Sequence, residues 1–294
     1  MLRIKFKLLL NKLLISISIE SNQKKLKKFN LFMSLISLIF ITKIFFEYRN
    51  KLLIKFLFFS PSFYIAVISY LAAAYLWSKL MKDNYGGNIL DYFYNWCFSK
   101  IGKYIPSGLM LFSVRLNQKN TINKNPKSIF YGLIQEQFIF PLVQIPALAI
   151  CIINNLNFNI FLLYGILSFL IFYLLKFIFY KLRNNAKTLL NYPIVFLVIS
   201  NLQLLILFNI AVYLNYQNPS KIALYYFLSS SLGLLFVGVP AGIGIREFIF
   251  YKITNNFLDE TIFLEYVLSV RILFLLVDLL FGIVGFFKTY NKNV

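Results

Sequence analysis

The chain has 294 residues, of which 60% are hydrophobic, 19% aromatic and 14% charged. A soluble domain is nearer half apolar and about a quarter charged, so this composition, gathered into long apolar segments, specifies an integral membrane protein with no polar block long enough for a separate soluble catalytic domain. Histidine is absent, which excludes a Ser-His hydrolase and a histidine-based metal site, and the net charge of +20 is read as lysines at membrane edges, not as a nucleic-acid-binding surface.

Residues 1–28 are a basic segment: within 1–30, eight Lys/Arg face Glu20 as the lone acid. Its apolar stretch, 8–19, is interrupted by Asn11 and Lys12. It runs into Lys24-Lys25-Leu26-Lys27-Lys28 instead of a small-residue cleavage site. This predicts a cytoplasmic amphipathic segment at the interface, not a signal peptide.

Residues 29–290 then read as one membrane domain. Apolar segments at 29–46, 61–79, 128–152, 159–178, 190–214, 221–239 and 262–287 each approach the roughly 20 residues that cross ~30 Å of hydrocarbon. Two shorter pieces are interrupted, one near 104–114 by Pro106 and Gly108, the other near 240–257 by Pro240 and Gly242. Proline removes a backbone donor and glycine frees the backbone. A pair of broken or re-entrant elements, one in each half, points to a binding site in transporters. With the N-terminus inside, the segments 1–30, 79–127, 176–188 and the C-terminal tail hold 22 Lys/Arg and the external loops hold 4. That bias puts both termini in the cytoplasm. It requires an even number of crossings, hence about eight spans with 241–257 among them. The expectation is an all-α, multi-pass helix bundle in the cell membrane. Cys97 and Cys151 are far apart and lack metal spacing; they read as plain thiols, with a disulfide between them the less favoured alternative.

Ten acids occur, and Glu136, Glu247 and Asp278 fall inside apolar spans or at the break. A charge there is costly, so it faces the bundle interior and finds a partner. Arg115, Arg246 and Arg271 are the nearby cations. Arg271 and Asp278 are two turns apart on one helix face, about 10 Å along the axis, too far to pair directly. Arg246 and Glu247 are adjacent, so in a helix they point about 100° apart and are expected to seek different partners. Two readings follow. One is a buried ion-pair network that fixes helix packing. The other is a cavity for an anionic lipid headgroup, in which arginine forks to phosphate and the helix start after Pro240-Ala241-Gly242 adds free N–H groups. Gly282 and Gly285 are expected to be packing glycines. Trp77, Tyr92, Tyr94, Trp96 and Tyr104 are expected as interfacial anchors.

Pro240-Ala241-Gly242-Ile243-Gly244-Ile245-Arg246-Glu247 resembles the Pro-Gly-Gly-x-Gly-x-x-Glu signature of the lysylphosphatidylglycerol synthase transmembrane region, a flippase-like family. Gly102-Lys103-Tyr104-Ile105-Pro106-Ser107-Gly108 is similar to that family's Lys-Tyr-x-Pro-Gly segment. Arg115, Glu136 in Leu133-Ile134-Gln135-Glu136, and Arg271 stand where the family carries a basic residue, an acid and a cation. The likeness spans roughly 30–290. Ala241 replaces the first glycine after the proline, and Ser107 displaces the second segment's glycine to Gly108. No counterpart of the synthases' soluble aminoacyltransferase domain is read in the chain.

The resemblance implies translocation of an anionic phospholipid or a polyprenyl-phosphate-linked glycan, without lipid aminoacylation. Lys103, Tyr104, Pro106, Arg115, Glu136, Pro240, Gly242, Gly244, Arg246, Glu247, Arg271 and Asp278 are the expected substrate-binding residues. No catalytic residue, cofactor or metal is expected, and no Walker-type phosphate loop is present. Two alternatives stand beside it. One is a polyprenyl-phosphate-sugar glycosyltransferase using Glu47, Asp259 or Glu260. The other is a non-catalytic accessory subunit of a surface-glycan or glycolipid pathway.

Overall fold

The computed structural model describes residues 60–102, 140–146, 148–149, 152, 160–182, 192–235, 244–256 and 258–290. The basic segment, the expected span at 29–46 and the broken piece at 104–114 lie outside these residues. Within them the regular structure is all α-helical: α1 Pro61–Tyr85, α2 Ile89–Gly102, α3 Ile160–Leu182, α4 Pro193–Tyr213, α5 Pro219–Leu234, α6 Ile245–Thr254 and α7 Glu260–Tyr290. A further helical stretch runs over 140–146 and 148–149.

Proline sets three of the starts. Pro61, Pro193 and Pro219 occupy the first turns of α1, α4 and α5, where a missing N–H costs nothing and the fixed φ suits the helix. Among the described residues, three helices are long and apolar enough to cross a membrane: Pro61–Asn84, Pro193–Tyr213 and Glu260–Lys288. Their outward faces carry large apolar side chains. On α1, Tyr64, Ile68, Leu71 and Tyr75 recur at helical spacing and are exposed. A stripe of that size suits hydrocarbon rather than water.

Named contacts fix the helix directions. Tyr70 of α1 reaches Asp278 of α7 and packs on Phe274 and Phe281. Tyr192, at the start of α4, donates to Asp83 at the end of α1. Burial and then the Asp83 carboxylate push the Tyr192 phenol above its ordinary pKa, which keeps it a donor. At the other end, Tyr216 after α4 donates to Ile262 O near the start of α7 (3.0 Å) and Tyr266 donates to Leu207 O (2.9 Å). So α4 runs antiparallel to both α1 and α7.

The segment 79–127, expected to be a cytoplasmic loop, contains a helix. α2 forms the most extensive interface in the described bundle, with α7. It folds back from α1 through Gly86 and Gly87, both at positive φ (69° and 89°), a conformation glycine reaches without strain. Trp96 stacks edge-on against Tyr70, and Phe98 meets Phe286, so α2 is antiparallel to α1 and α7. Its approach depends on Gly285. A Cβ there would lie 2.3 Å from Phe98 N and 2.7 Å from Tyr94 O. The packing role expected of Gly285 is therefore correct, and Gly282 is buried beside it. The anchoring role expected of Trp77, Tyr92 and Trp96 is not: all three are buried in the core, at 3%, 4% and 1% exposure. Their aromatic area fills the space between α1, α2 and α7, which outweighs a seat at the interface.

α5 and α6 form a second hairpin. Arg246 of α6 touches Gly233 near the end of α5, whereas Phe250 meets Tyr226 nearer its start (5.1 Å between rings). α6 therefore doubles back along α5. Its ten residues span about 15 Å, half the hydrocarbon thickness. By itself α6 is too short to be the crossing expected at 241–257, and the described helices do not establish eight spans. A polar seam stitches the neighbouring elements. Ser231 of α5 donates to Gln144 Oε1 (2.7 Å), and Gln144 Nε2 donates to Ser200 Oγ of α4 (3.3 Å). Such bonds between apolar helices satisfy groups that lipid cannot.

Candidate functional site

α6 begins where the sequence breaks. Gly244, at φ +88° and ψ −47°, is its N-cap. A Cβ at Gly244 would meet nothing within 4 Å, so glycine is needed there for its backbone conformation and not for room. Glu247, three residues on, returns its Oε2 to the Gly244 N–H (2.7 Å). That is half of a capping box, since glycine has no side chain to reciprocate. The first free N–H expected for an anion at this helix start is thereby occupied from within.

The other carboxylate oxygen gathers the arginines. Glu247 Oε1 accepts from Arg271 Nε (2.8 Å) and from Arg271 Nη2, across from α6 to α7. It also accepts from Arg246 Nε at 3.3 Å. The expectation that Arg246 and Glu247 turn to different partners fails here. Glu247 is folded back to cap its own helix start, and that brings its carboxylate within reach of the preceding residue. The three side chains keep 17–19% of their surface, so the cluster is mostly buried yet not sealed. Among the described residues, two guanidiniums and one carboxylate sum to one positive charge. Arg271 stands eleven residues into α7, about 16 Å along its axis, which is roughly a third of the way along the helix.

Small and aromatic residues hold the cluster in place. A Cβ on Gly233 would sit 3.2 Å from Arg246 Cβ, so glycine lets α5 lie against the arginine's stem. The Arg246 guanidinium lies 5.6 Å from the centre of the Tyr226 ring, within cation–π range. Tyr226 belongs to an aromatic group with Phe250, Tyr266 and Phe263, which ties α5, α6 and α7 together.

Asp278 is not part of this cluster. Two turns beyond Arg271, it is fully buried and accepts from the Tyr70 hydroxyl at 2.9 Å. Lys100 of α2 lies above the Trp96 ring at 3.7 Å and the Tyr70 ring at 5.1 Å. The expectation that Arg271 and Asp278 cannot pair directly holds, and each engages a different pair of helices. Of the expected site residues, Gly244, Arg246, Glu247 and Arg271 come together and Asp278 stands apart. Lys103, Tyr104, Pro106, Arg115, Glu136, Pro240 and Gly242 lie outside the described residues. Sequence reasoning missed Tyr226, Gly233, Tyr70 and Lys100. Nothing local distinguishes Tyr226 among the chain's 20 tyrosines; its importance comes from what α6 and α7 bring to it.

The acids expected to serve a glycosyltransferase give little at this level. Asp259 and Glu260 are exposed at the start of α7, and Asp259 O accepts from Phe263 N (2.9 Å). Glu47 lies outside the described residues. Among the described residues no group of three or more His, Cys, Asp or Glu could hold a metal. Cys97 is a free, buried thiol. Compared with protein families, with characterised proteins and with solved structures, the chain matches none.

Proposed function

We propose that this protein is a multi-pass membrane protein that moves an anionic lipid, or a lipid-linked glycan with a phosphate group, across the cell membrane, and that it belongs with the flippase-like proteins its motifs resemble. One observation carries the reading: Arg246, Glu247 and Arg271 form a mostly buried cluster with one excess positive charge among the described residues, at the start of a short doubled-back helix and against the interior of a long apolar one. A charge in that position is costly unless it is used. Arginine is the cation best shaped for a phosphate. The Lys/Arg distribution supports cytoplasmic termini.

In this reading Glu247 aims the two arginines, and the partly exposed cluster receives the headgroup while the acyl chains stay in lipid. α6 falls in one of the two interrupted pieces anticipated in the chain, the one near 240–257, which makes it the natural moving part.

A second reading has its own observation. Glu247 already accepts from four donors, a saturation that also suits a purely structural clamp between α6 and α7. An accessory subunit would need no more than that.

Reconstitution separates the two. Purified protein goes into liposomes carrying fluorescent phosphatidylglycerol, with a polyprenyl-phosphate analogue in parallel. Wild type is compared with the Arg246→Gln/Arg271→Gln double variant. The expected result is lipid movement by wild type that the variant lacks, although it still inserts and stays folded. Absence of movement for both lipids with folded wild type overturns the translocation reading and leaves the clamp.

A further inference from the structure

The Tyr226 hydroxyl is buried, and among the described residues it has no hydrogen-bond partner. Tyrosine at 1% exposure normally satisfies its O–H, because an unmet buried hydroxyl retains its desolvation penalty. Its neighbour in the same aromatic group does so: Tyr266 donates to Leu207 O at 2.9 Å. Tyr226 instead lies under the Arg246 guanidinium, and the charges of Arg246, Arg271 and Glu247 all act on its hydroxyl. Arg271 also has capacity left. A guanidinium carries five N–H donors, and Glu247 takes two of them. The remaining donors of Arg271 and the Tyr226 O–H are of one kind, all donors, gathered beside a net positive charge. The Glu247 carboxylate, which could have accepted from the hydroxyl, is filled by arginine and by the Gly244 N–H.

From this arrangement we infer that Tyr226 is a ligand-binding residue, whose hydroxyl donates to an oxygen of a bound monoanionic oxyanion that Arg271 and Arg246 hold by charge. The inference rests on the anion-binding reading above and deepens it. It names the hydrogen-bond donor that would meet an oxygen of the anion, beside a cluster that carries one excess positive charge among the described residues. A phosphodiester headgroup has that charge and those oxygens; so does the dihydrogen form of inorganic phosphate.

The test uses Tyr226→Phe. The ring stays, so the edge contacts with Phe250 and Tyr266 at 5.1 and 5.4 Å stay too, and only the orphan hydroxyl is removed. Detergent-purified full-length protein is titrated with phosphatidylglycerol, with phosphatidylcholine, and with inorganic phosphate, and the thermal midpoint is followed. Wild type is expected to be stabilised by phosphatidylglycerol and not by phosphatidylcholine. A response to inorganic phosphate as well would assign the recognition to the phosphate group alone; without it, the lipid is the source. The variant without ligand should melt at the wild-type temperature or above it, because it loses an unsatisfied buried group. Its apparent affinity for the stabilising ligand should fall about tenfold, as expected for one hydrogen bond to a charged group.

Two results overturn the inference while sparing the anion reading. One is a variant that responds to phosphatidylglycerol as wild type does; the other is a variant that melts lower without ligand, which would show that the hydroxyl has a structural partner. A folded wild type that no anion stabilises, with Arg246→Gln/Arg271→Gln behaving identically, overturns the anion reading itself.

Discussion

α7 carries two buried polar stations two turns apart, and they are solved differently. At Arg271 the helix meets a charge with a charge: Glu247 bridges Arg271 and Arg246 at the start of α6, and a fraction of the surface stays open. At Asp278 the helix presents a fully buried carboxylate to the Tyr70 hydroxyl of α1, with Lys100 of α2 lying over the Tyr70 ring. The difference lies in the partner helix. α6 is short and begins at a conformational break, so it presents a cap and a charged first turn. Tyr70 belongs to α1, and α2 closes over it with the Trp96 ring as it slides along α7 over a glycine. The first region has donors to spare, whereas the second is closed by packing. That contrast is why the first is assigned to ligand and the second to holding the bundle together.

The largest blow to this contrast is Glu247→Ala. It leaves two guanidiniums facing each other at a mostly buried site, and breaking a buried pair costs about 3–5 kcal/mol. The thermal midpoint in detergent should fall steeply, and Glu247→Gln should recover part of the loss because an amide still accepts. Gly285→Ala comes next. Its Cβ would meet backbone atoms of α2, which cannot give way as a flexible side chain would, so the cost should lie near the top of about 1–3 kcal/mol. This variant is expected to loosen α2 from α7, read as faster amide exchange in 89–102, and to leave anion-dependent stabilisation intact. If that stabilisation is lost too, the two stations are not independent.

Tyr70→Phe is a gentler probe of the second station. It removes a 2.9 Å bond to a carboxylate, worth about 2 kcal/mol, and should lower the thermal midpoint without changing lipid selectivity. Gly244→Ala is the smallest. The site has room for a Cβ but not the backbone angle, so the expected loss is about 1 kcal/mol. It is measured as a modest drop in thermal midpoint, and a null result would show that the cap relaxes into another conformation.

Much of the fold was legible in the sequence. The apolar segments expected at 61–79, 190–214 and 262–287 correspond to α1, α4 and α7, and the break near Pro240 precedes a helix start at Ile245. α2 was missed because its sequence mixes aromatics with Asp91, Asn95 and Lys100, a pattern that hydropathy assigns to an interface. Of the site, Arg246, Glu247 and Arg271 were singled out, because an ionisable residue inside an apolar run is conspicuous by its cost. Tyr226 was not, because tyrosine in an apolar helix has no such cost until its hydroxyl loses water.

By itself, then, the sequence determined the material and the punctuation of this protein: long apolar helices, prolines at helix starts, glycines at turns, and the few charges that the interior would have to accommodate. These follow from local rules of hydration and backbone geometry that each segment obeys alone. Tertiary structure decided which charge meets which. Arg271 reached Glu247 and not Asp278, Arg246 shared the carboxylate with it, and α6 turned back along α5. Those outcomes depend on which helix faces approach within hydrogen-bond distance, a property of packing that no single segment contains.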